Sequence, residues 1–176
     1  MTANNVAAQE PVYAAPPAVD DGRILVETRF GPIGFARANA VFMPRGLLGY
    51  AEHRNFGLAN LPDPRLEQFK LLQCLSEPSL SFIVAPLNPE NTIISPADIE
   101  AASQTLGIGY GDTAVLLVVA TRRIGTATQI SVNLRAPVIV DMASAMAWQH
   151  VLANSHYPVR HVIGNVADAG DRTAAG

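Results

Sequence analysis

Residues 68–86, QFKLLQCLSEPSLSFIVAP, hold two short apolar runs on either side of a polar stretch that contains Pro78. The runs cover residues 68–75 and 80–86, which is too short for a typical helix and typical of strands. The polar residues between them are those that favour turns. This stretch therefore predicts two neighbouring β-strands.

Similar short runs occur along most of the chain. Residues 24–30 and 33–35 lie on either side of Gly31-Pro32, a pattern that predicts a hairpin. The remaining candidate strands are residues 40–43, 55–61, 113–121, 127–135, 137–142 and 146–153. Their regular spacing predicts a mainly β fold, an antiparallel and partly closed β-barrel-like domain with one or two short helices.

One segment has the pattern of a helix. Ser95 is a candidate N-cap, Pro96 suits the first helical position, and Asp98 and Glu100 lie where the helix dipole favours negative charge. Gly107 offers a C-terminal stop. An apolar face with helical spacing follows the cap and predicts packing against the sheet; it consists of Ile99, Ala102, Ser103 and Leu106.

Composition limits the classes of function. The 176 residues carry 15 acidic and 12 basic side chains, and the longest basic cluster is the pair Arg122-Arg123, which argues against direct binding of nucleic acid. The apolar run 113–120 ends at that pair and is too short to span a bilayer. Cys74 is the only cysteine, so we expect a small buried hydrophobe in a reducing compartment.

The two ends of the chain differ from its centre. Residues 1–22 are rich in Ala and Pro and lack the features of a secretory signal, which predicts a disordered tail and a cytoplasmic location. Residues 164–176 are predicted to form a second tail. Between them, residues 23–163 are expected to form one domain, and we expect that domain to be a monomer.

No candidate catalytic or cofactor site emerges from the motifs. Gly107 to Gly111 resembles a phosphate loop, but helix, glycines and strand follow in the wrong order for a dinucleotide site. A serine elbow is absent, and Asp98 with Glu100 belongs to the first turn of the helix. The histidines lack the spacing of metal ligands; they are His53, His150, His156 and His161. We therefore predict no catalytic residue, metal or cofactor.

Several motifs, taken in order, resemble the FliW family. Thr28-Arg-Phe-Gly-Pro-Ile is similar to the family's opening hairpin, and residues 42–50 resemble its F-x-x-G-I-P-G-F stretch, with Leu48 where the family usually has proline. Residues 71–75 and 77–84 match L-Q-S followed by P-x-L-x-F-I-V. Residues 132–140 resemble N-L-x-A-P-I-V-I, and residues 154–157 resemble the closing N-x-x-Y. The resemblance covers about residues 24–163.

The resemblance implies a function and a set of candidate residues. It implies a protein that binds flagellin and the RNA-binding translational repressor CsrA: flagellin occupies the protein until it is exported, and the released protein then relieves repression of flagellin translation. The mild acidity of the chain fits a basic partner. The candidate partner-binding residues are the motif positions Phe42, Gly46, Tyr50, Phe82, Asn133, Arg135, Pro137, Asn154 and Tyr157.

Two of these motifs also have structural readings. Pro137 cannot donate to a central ladder, so residues 133–137 predict a strand that breaks and resumes at an edge or bulge, where partners could bind. Tyr157 could close the fold by packing its ring and bonding its hydroxyl. Two other functions stay open: a β-barrel that holds a small molecule in its mouth, and an unrecognised hydrolase.

Overall fold

The computed structural model describes residues 22–167 and confirms a mainly β fold with one α-helix in that range. The helix α1 is Pro96–Leu106. The strands are β1 Arg23–Thr28, β2 Gly31–Ala36, β3 Ala40–Phe42, β4 Asn55–Asn60, β5 Lys70–Cys74, β6 Ser81–Pro86, β7 Thr113–Ile124, β8 Ala127–Val132, β9 Val138–Asp141, β10 Met146–Gln149 and β11 His161–Ala167.

Nine strands form one sheet that curls back on itself. Their order is β11-β8-β7-β6-β5-β4-β3-β10-β9, and β9 also pairs with β7, which brings β3 to β7, β9 and β10 into a ring. The ring is only partly closed, because β3 and β10 share the single parallel pair Met146↔Phe42. The long strand β7 pairs with β9 through Thr113–Leu116 and with β8 through Val119–Ile124, so β8 and β11 extend beyond the ring.

The strands β1 and β2 form a separate antiparallel hairpin, as the sequence predicts, with a register that runs from Arg23↔Ala36 to Thr28↔Gly31. The predicted turn at Gly31-Pro32 is wrong, because both residues pair within β2 and the chain turns at Arg29 and Phe30. Its apolar face packs on the outside of the ring, where Val26 and Phe35 cluster with Phe69 and Leu71. Because Phe35 is fully buried, the hairpin is part of the core rather than an appendage.

Successive side chains of a strand point to opposite faces of the sheet, so the ring has separate apolar clusters on its inside and its outside. Every ring strand contributes to the inner cluster, for example Leu72 and Cys74 of β5 and Leu116 of β7. The outer cluster under α1 joins Ile99 and Ala102 of the helix to Val115, Leu117 and Ile139, among others. The predicted apolar face of α1 therefore does pack against the sheet.

Both ends of α1 lie at the residues that the sequence predicts. Gly107 ends the helix with a φ of 73°, a left-handed conformation that glycine adopts without steric cost. Ser95 is the N-cap residue, as predicted, but its side chain makes no capping hydrogen bond. Its carbonyl oxygen instead accepts from Asp98 N–H and Ile99 N–H, and its own N–H donates to the Tyr157 hydroxyl.

Three further predictions need correction. The predicted C-terminal tail begins inside β11, which runs to Ala167 because its backbone pairs with β8. Strand β9 is not an edge, since it pairs with both β7 and β10; Pro137 precedes its first residue, so the missing N–H removes no ladder bond. Strand β10 ends at Gln149, four residues before the predicted end at residue 153.

The predicted tails otherwise lie outside the described residues. Within residues 22–167, no helix is long and apolar enough to cross a membrane.

Candidate partner-binding site

The first group of candidate residues lies in the segment of residues 42–50, here called the β3 loop. Two consecutive turns shape it: Gly46 N–H donates to the Met43 carbonyl at 3.0 Å, and Tyr50 N–H donates to the Leu47 carbonyl at 2.8 Å. Met43 N–H also donates to the Arg54 carbonyl at 2.7 Å, which ties the start of the β3 loop to the residue before β4.

Gly46 is required by the geometry of the β3 loop. Its φ is 62°, and an added Cβ would lie 2.8 Å from Ala51 Cα and 2.9 Å from the His53 carbonyl oxygen. The carbonyl oxygen of Tyr50 would be closer still. Gly46 therefore shapes the loop and is buried, so it presents no side chain to a partner.

The β3 loop presents apolar side chains to solvent. Phe42 is 41% exposed, Leu48 58% and Tyr50 38%. The Tyr50 ring packs edge-on against Phe82, with centroids 5.3 Å apart and an interplanar angle of 74°. Phe82 is half-buried against the inner cluster, so it supports Tyr50 more than it faces solvent. Three large apolar side chains on a braced loop are typical of a protein-binding surface.

The departure from the family's motif at Leu48 has a structural consequence. Leu48 N–H donates to Gln149 Oε1 at 2.9 Å, a bond that proline could not make. Gln149 Nε2 in turn donates to the Ala136 carbonyl at 3.1 Å. Gln149 thus links the β3 loop to residues 133–137, the site of the second group of candidates. The sequence gives no signal for this role, because the two partners are 101 positions apart.

The second group of candidates forms internal contacts. Asn133 Oδ1 accepts from the N–H groups of Arg135 and Ala136, both at 3.0 Å, and so shapes the turn between β8 and β9. Arg135 Nη1 donates to the Asn154 carbonyl at 2.8 Å. Pro137 is buried, and its carbonyl accepts from His150 N–H at 2.9 Å. These residues hold the turn against the segment of residues 150–158.

Asn154 and Tyr157 fasten that same segment to the start of α1. The Tyr157 hydroxyl donates to Asp98 Oδ2 at 2.6 Å and accepts from Ser95 N–H at 2.9 Å, while Asn154 Nδ2 donates to Asp98 Oδ2 at 3.3 Å. Burial, together with the bond to the Asp98 carboxylate, raises the pKa of Tyr157. The hydroxyl of Tyr157 is thus bonded inside the fold, which is the structural role that the sequence analysis gave as an alternative to partner binding.

The central L-Q motif also has a structural role. Gln73 is fully buried, and its Nε2 lies within hydrogen-bond distance of four carbonyls, those of Cys74, Glu77, Pro78 and Leu80. These contacts pull the loop between β5 and β6 closed around the amide. The motif therefore specifies the β5–β6 hairpin rather than a contact surface.

Among the titratable side chains of the described range, one cysteine lies close to a histidine. Cys74 is buried as predicted, with Sγ 3.8 Å from His53 Nδ1 and 3.4 Å from Ser76 Oγ. Across residues 22–167, no three His, Cys, Asp or Glu side chains lie close enough to hold a metal ion. Burial and the nearby charge of Arg45 lower the pKa of His150, which favours its neutral form.

One end of the ring opens into a cleft of about 380 Å³. Its walls are mainly apolar and include Val41, Leu58, Leu116 and Val140, and Lys70 lies at the rim. Lys70 Nζ donates to Asn60 Oδ1 at 2.8 Å and to the Glu67 carbonyl at 3.1 Å. The volume falls within the range of small-molecule sites, so the cleft favours the alternative function of binding a small molecule.

The fold and these contacts define a class: a small, mainly β protein whose signature motifs brace an exposed apolar loop. Comparison with known proteins gives the class its family. The family model described as "FliW protein" matches residues 24–163. The chain belongs to the FliW family.

Individual relatives agree with this assignment. The chain is 31% identical to "Flagellar assembly factor FliW" of Geobacter sulfurreducens over 134 residues, covering 76% of this chain and 82% of that relative. It is also 31% identical to the protein of the same name from Syntrophotalea carbinolica, covering 77% and 94%. A crystal structure of the flagellar assembly factor FliW superimposes with a TM-score of 0.60 at 22% identity, covering 78% of this chain and 95% of that one, which indicates a shared fold.

Proposed function

We propose that this chain is a cytoplasmic, non-catalytic flagellar assembly factor that binds flagellin and a CsrA-type translational repressor in a partner switch. Free flagellin occupies the protein. Export of flagellin releases the protein to bind the repressor and relieve its block on flagellin translation. Such a switch needs two coupled binding equilibria and no reactive group.

The exposed β3 loop is the observation that carries this proposal. Leu48 and Tyr50 are presented on a backbone that Gly46 and the Leu48–Gln149 hydrogen bond hold in place. A pre-shaped loop loses little conformational freedom on binding, and large apolar side chains with a firm support are common centres of binding energy. The net charge of −3 further favours a basic, RNA-binding partner.

The cleft at the end of the ring favours a second candidate, the binding of a small molecule. Its apolar walls and the ammonium group of Lys70 at the rim fit a small apolar ligand with a polar or anionic end. Native mass spectrometry of the purified protein discriminates the two functions. A stoichiometric small molecule retained after purification would favour the second.

Titration calorimetry with purified flagellin tests the first candidate. We expect one-to-one binding by the unchanged chain. Leu48→Asp should weaken it by about tenfold or more, because a charged side chain replaces an apolar contact while the backbone bond to Gln149 stays. Leu25→Asp is the matched control, since Leu25 is also a leucine and is 75% exposed but lies in β1, outside the β3 loop.

Two outcomes would contradict the proposal at different levels. Equal affinities for Leu48→Asp and the unchanged chain would show that flagellin does not bind the β3 loop. The absence of both heat and co-elution for flagellin and for the repressor would refute the function itself.

A further inference from the structure

The N-terminal segment of the chain is attached to the domain beside the cleft at the end of the ring. Residues 1–21 lie outside the described residues, and Gly22 is the first residue that the structure describes. The Gly22 carbonyl accepts from Arg37 N–H at 3.4 Å. Arg37 begins a short 3-10 helix, Arg37–Asn39, that leads from the outer hairpin to β3, and residues 38–41 line the cleft. The N-terminal segment is therefore tethered next to the wall of the cleft.

The surface of the cleft suits an uncharged apolar occupant. Met142 on its lining is 65% exposed, and Lys70 is the one charged residue of that lining. The Lys70 ammonium already donates to Asn60 Oδ1 and to the Glu67 carbonyl, so two of its three N–H groups are used within the domain. What is left to cover is mainly apolar wall, and covering apolar surface is favourable in water.

Residues 11–19, PVYAAPPAV, have the composition that suits this cleft. The stretch contains only proline, alanine, valine and one tyrosine, and none of its side chains is charged. Its three prolines have no backbone N–H, so few donors would lose water without gaining a partner in an apolar cleft. The prolines also restrict the free chain, which lowers the conformational cost of binding.

The tether is long enough to reach the cleft and short enough to favour it. Asp20 and Asp21 separate Val19 from Gly22. Extended chain from Gly22 spans about 10 Å to Val19 and about 30 Å to Tyr13. A short tether holds a segment at an effective concentration in the millimolar range. Binding with a Kd as weak as about 1 mM would then occur in about half of the molecules.

We propose that residues 11–19 bind in the cleft of their own chain and cover its apolar wall. This occupant is a property of this chain, because residues 11–19 precede residues 24–163, which the family model matches. Occupancy of about half changes the folding equilibrium only about twofold, so the contact leaves the thermal midpoint nearly unchanged. None of the residues that line the cleft belongs to the β3 loop, so the inference is independent of flagellin binding.

Paramagnetic relaxation enhancement in the full chain, labelled with nitrogen-15, tests the proposal. A nitroxide is attached to Ala15→Cys, and Cys74 does not compete for the label because it is buried. The diagnostic amides are those of residues 58–60, 114–116 and 140–145, on the walls of the cleft away from the tether. We expect their signals to fall to about half or less of the intensity measured with the reduced label.

Two variants of the N-terminal segment separate binding in the cleft from chance proximity. The combined substitution Val12→Ser, Tyr13→Ser and Val19→Ser removes the large apolar side chains of residues 11–19 and should restore the diagnostic signals. Val6→Ser is the matched control, because it makes the same kind of change in the same segment but outside residues 11–19. It should leave the signals as low as in the unchanged chain. Both variants keep every residue of the folded domain.

Three results would overturn the proposal. The first is the absence of selective signal loss at the diagnostic amides, and the second is equal signal loss in the triple variant and in Val6→Ser. The third is signal loss in a nitrogen-15 chain mixed with a separately spin-labelled chain, which would make the segment of a second copy the occupant. Flagellin binding, measured separately by calorimetry, distinguishes failure here from failure of the proposed function.

Discussion

Replacing Gly46 by alanine should disrupt the β3 loop, and the structure gives the expected size of the effect. Alanine in the left-handed region costs about 1–2 kcal/mol, partly offset by about 0.4–1 kcal/mol from the stiffer unfolded chain. The new methyl group would also overlap backbone atoms, including Ala51 Cα at 2.8 Å. Relief of such overlap costs about 1–3 kcal/mol, and movement of Tyr50 off Phe82 about 0.5–1.5 kcal/mol more.

These contributions lead us to expect that Gly46→Ala lowers the free energy of unfolding by about 2–5 kcal/mol. Urea unfolding followed by circular dichroism measures this change. The matched control is Gly49→Ala in the same loop, where φ is 88° but nothing lies within 4 Å of the added Cβ. It should cost only about 1 kcal/mol, because it incurs the backbone penalty without the overlap. Equal losses for the two variants would refute the argument that close packing at Gly46 shapes the loop.

Three further predictions concern the rest of the chain. Tyr157→Phe removes the hydroxyl bound to Asp98 and should lower the free energy of unfolding by about 1–3 kcal/mol in urea titrations; an unchanged midpoint would contradict the fastening role. Burial lowers the pKa of His150 in the folded chain, so as pH falls the unfolded chain takes up a proton on this histidine before the folded chain does. The free energy of unfolding should therefore decrease as pH drops below about 6.5. His150→Gln should flatten this part of the pH profile, and an identical slope in both proteins would count against it. Deleting residues 1–22 should shift the thermal midpoint little, whereas a large drop would show that the segment packs on the domain.

The fold was predictable where local patterns and pairing partners agree. The apolar spacing of the β1–β2 hairpin and of the helix Pro96–Leu106 was enough to find both elements, although the hairpin turns two residues before the predicted Gly31-Pro32. Strand β11 was missed because Gly164 and Asn165 break its apolar pattern, and its backbone is satisfied only by pairing with β8. Tertiary pairing of this kind leaves no local signal.

The sequence motifs identified the candidate residues, but they did not show which of them face solvent and which form contacts inside the fold. The motifs found Tyr50 and Phe42, which are exposed, together with Asn133 and Tyr157, whose polar groups are used inside the fold. A motif cannot separate these roles, because a residue that shapes a loop and one that contacts a partner can appear in the same stretch. Gln149 carries no motif at all, since its importance depends on a contact across the sequence.

Competition between the two partners tests the central proposal most directly. The measurement is to saturate the purified full chain with the CsrA-type repressor, add flagellin stepwise, and follow free repressor by its binding to a labelled flagellin leader RNA. We predict that flagellin releases the repressor stoichiometrically and restores its RNA binding, and that the chain itself does not bind the RNA. A repressor that stays free of the chain throughout, or one that stays bound to it at saturating flagellin, would contradict the partner switch.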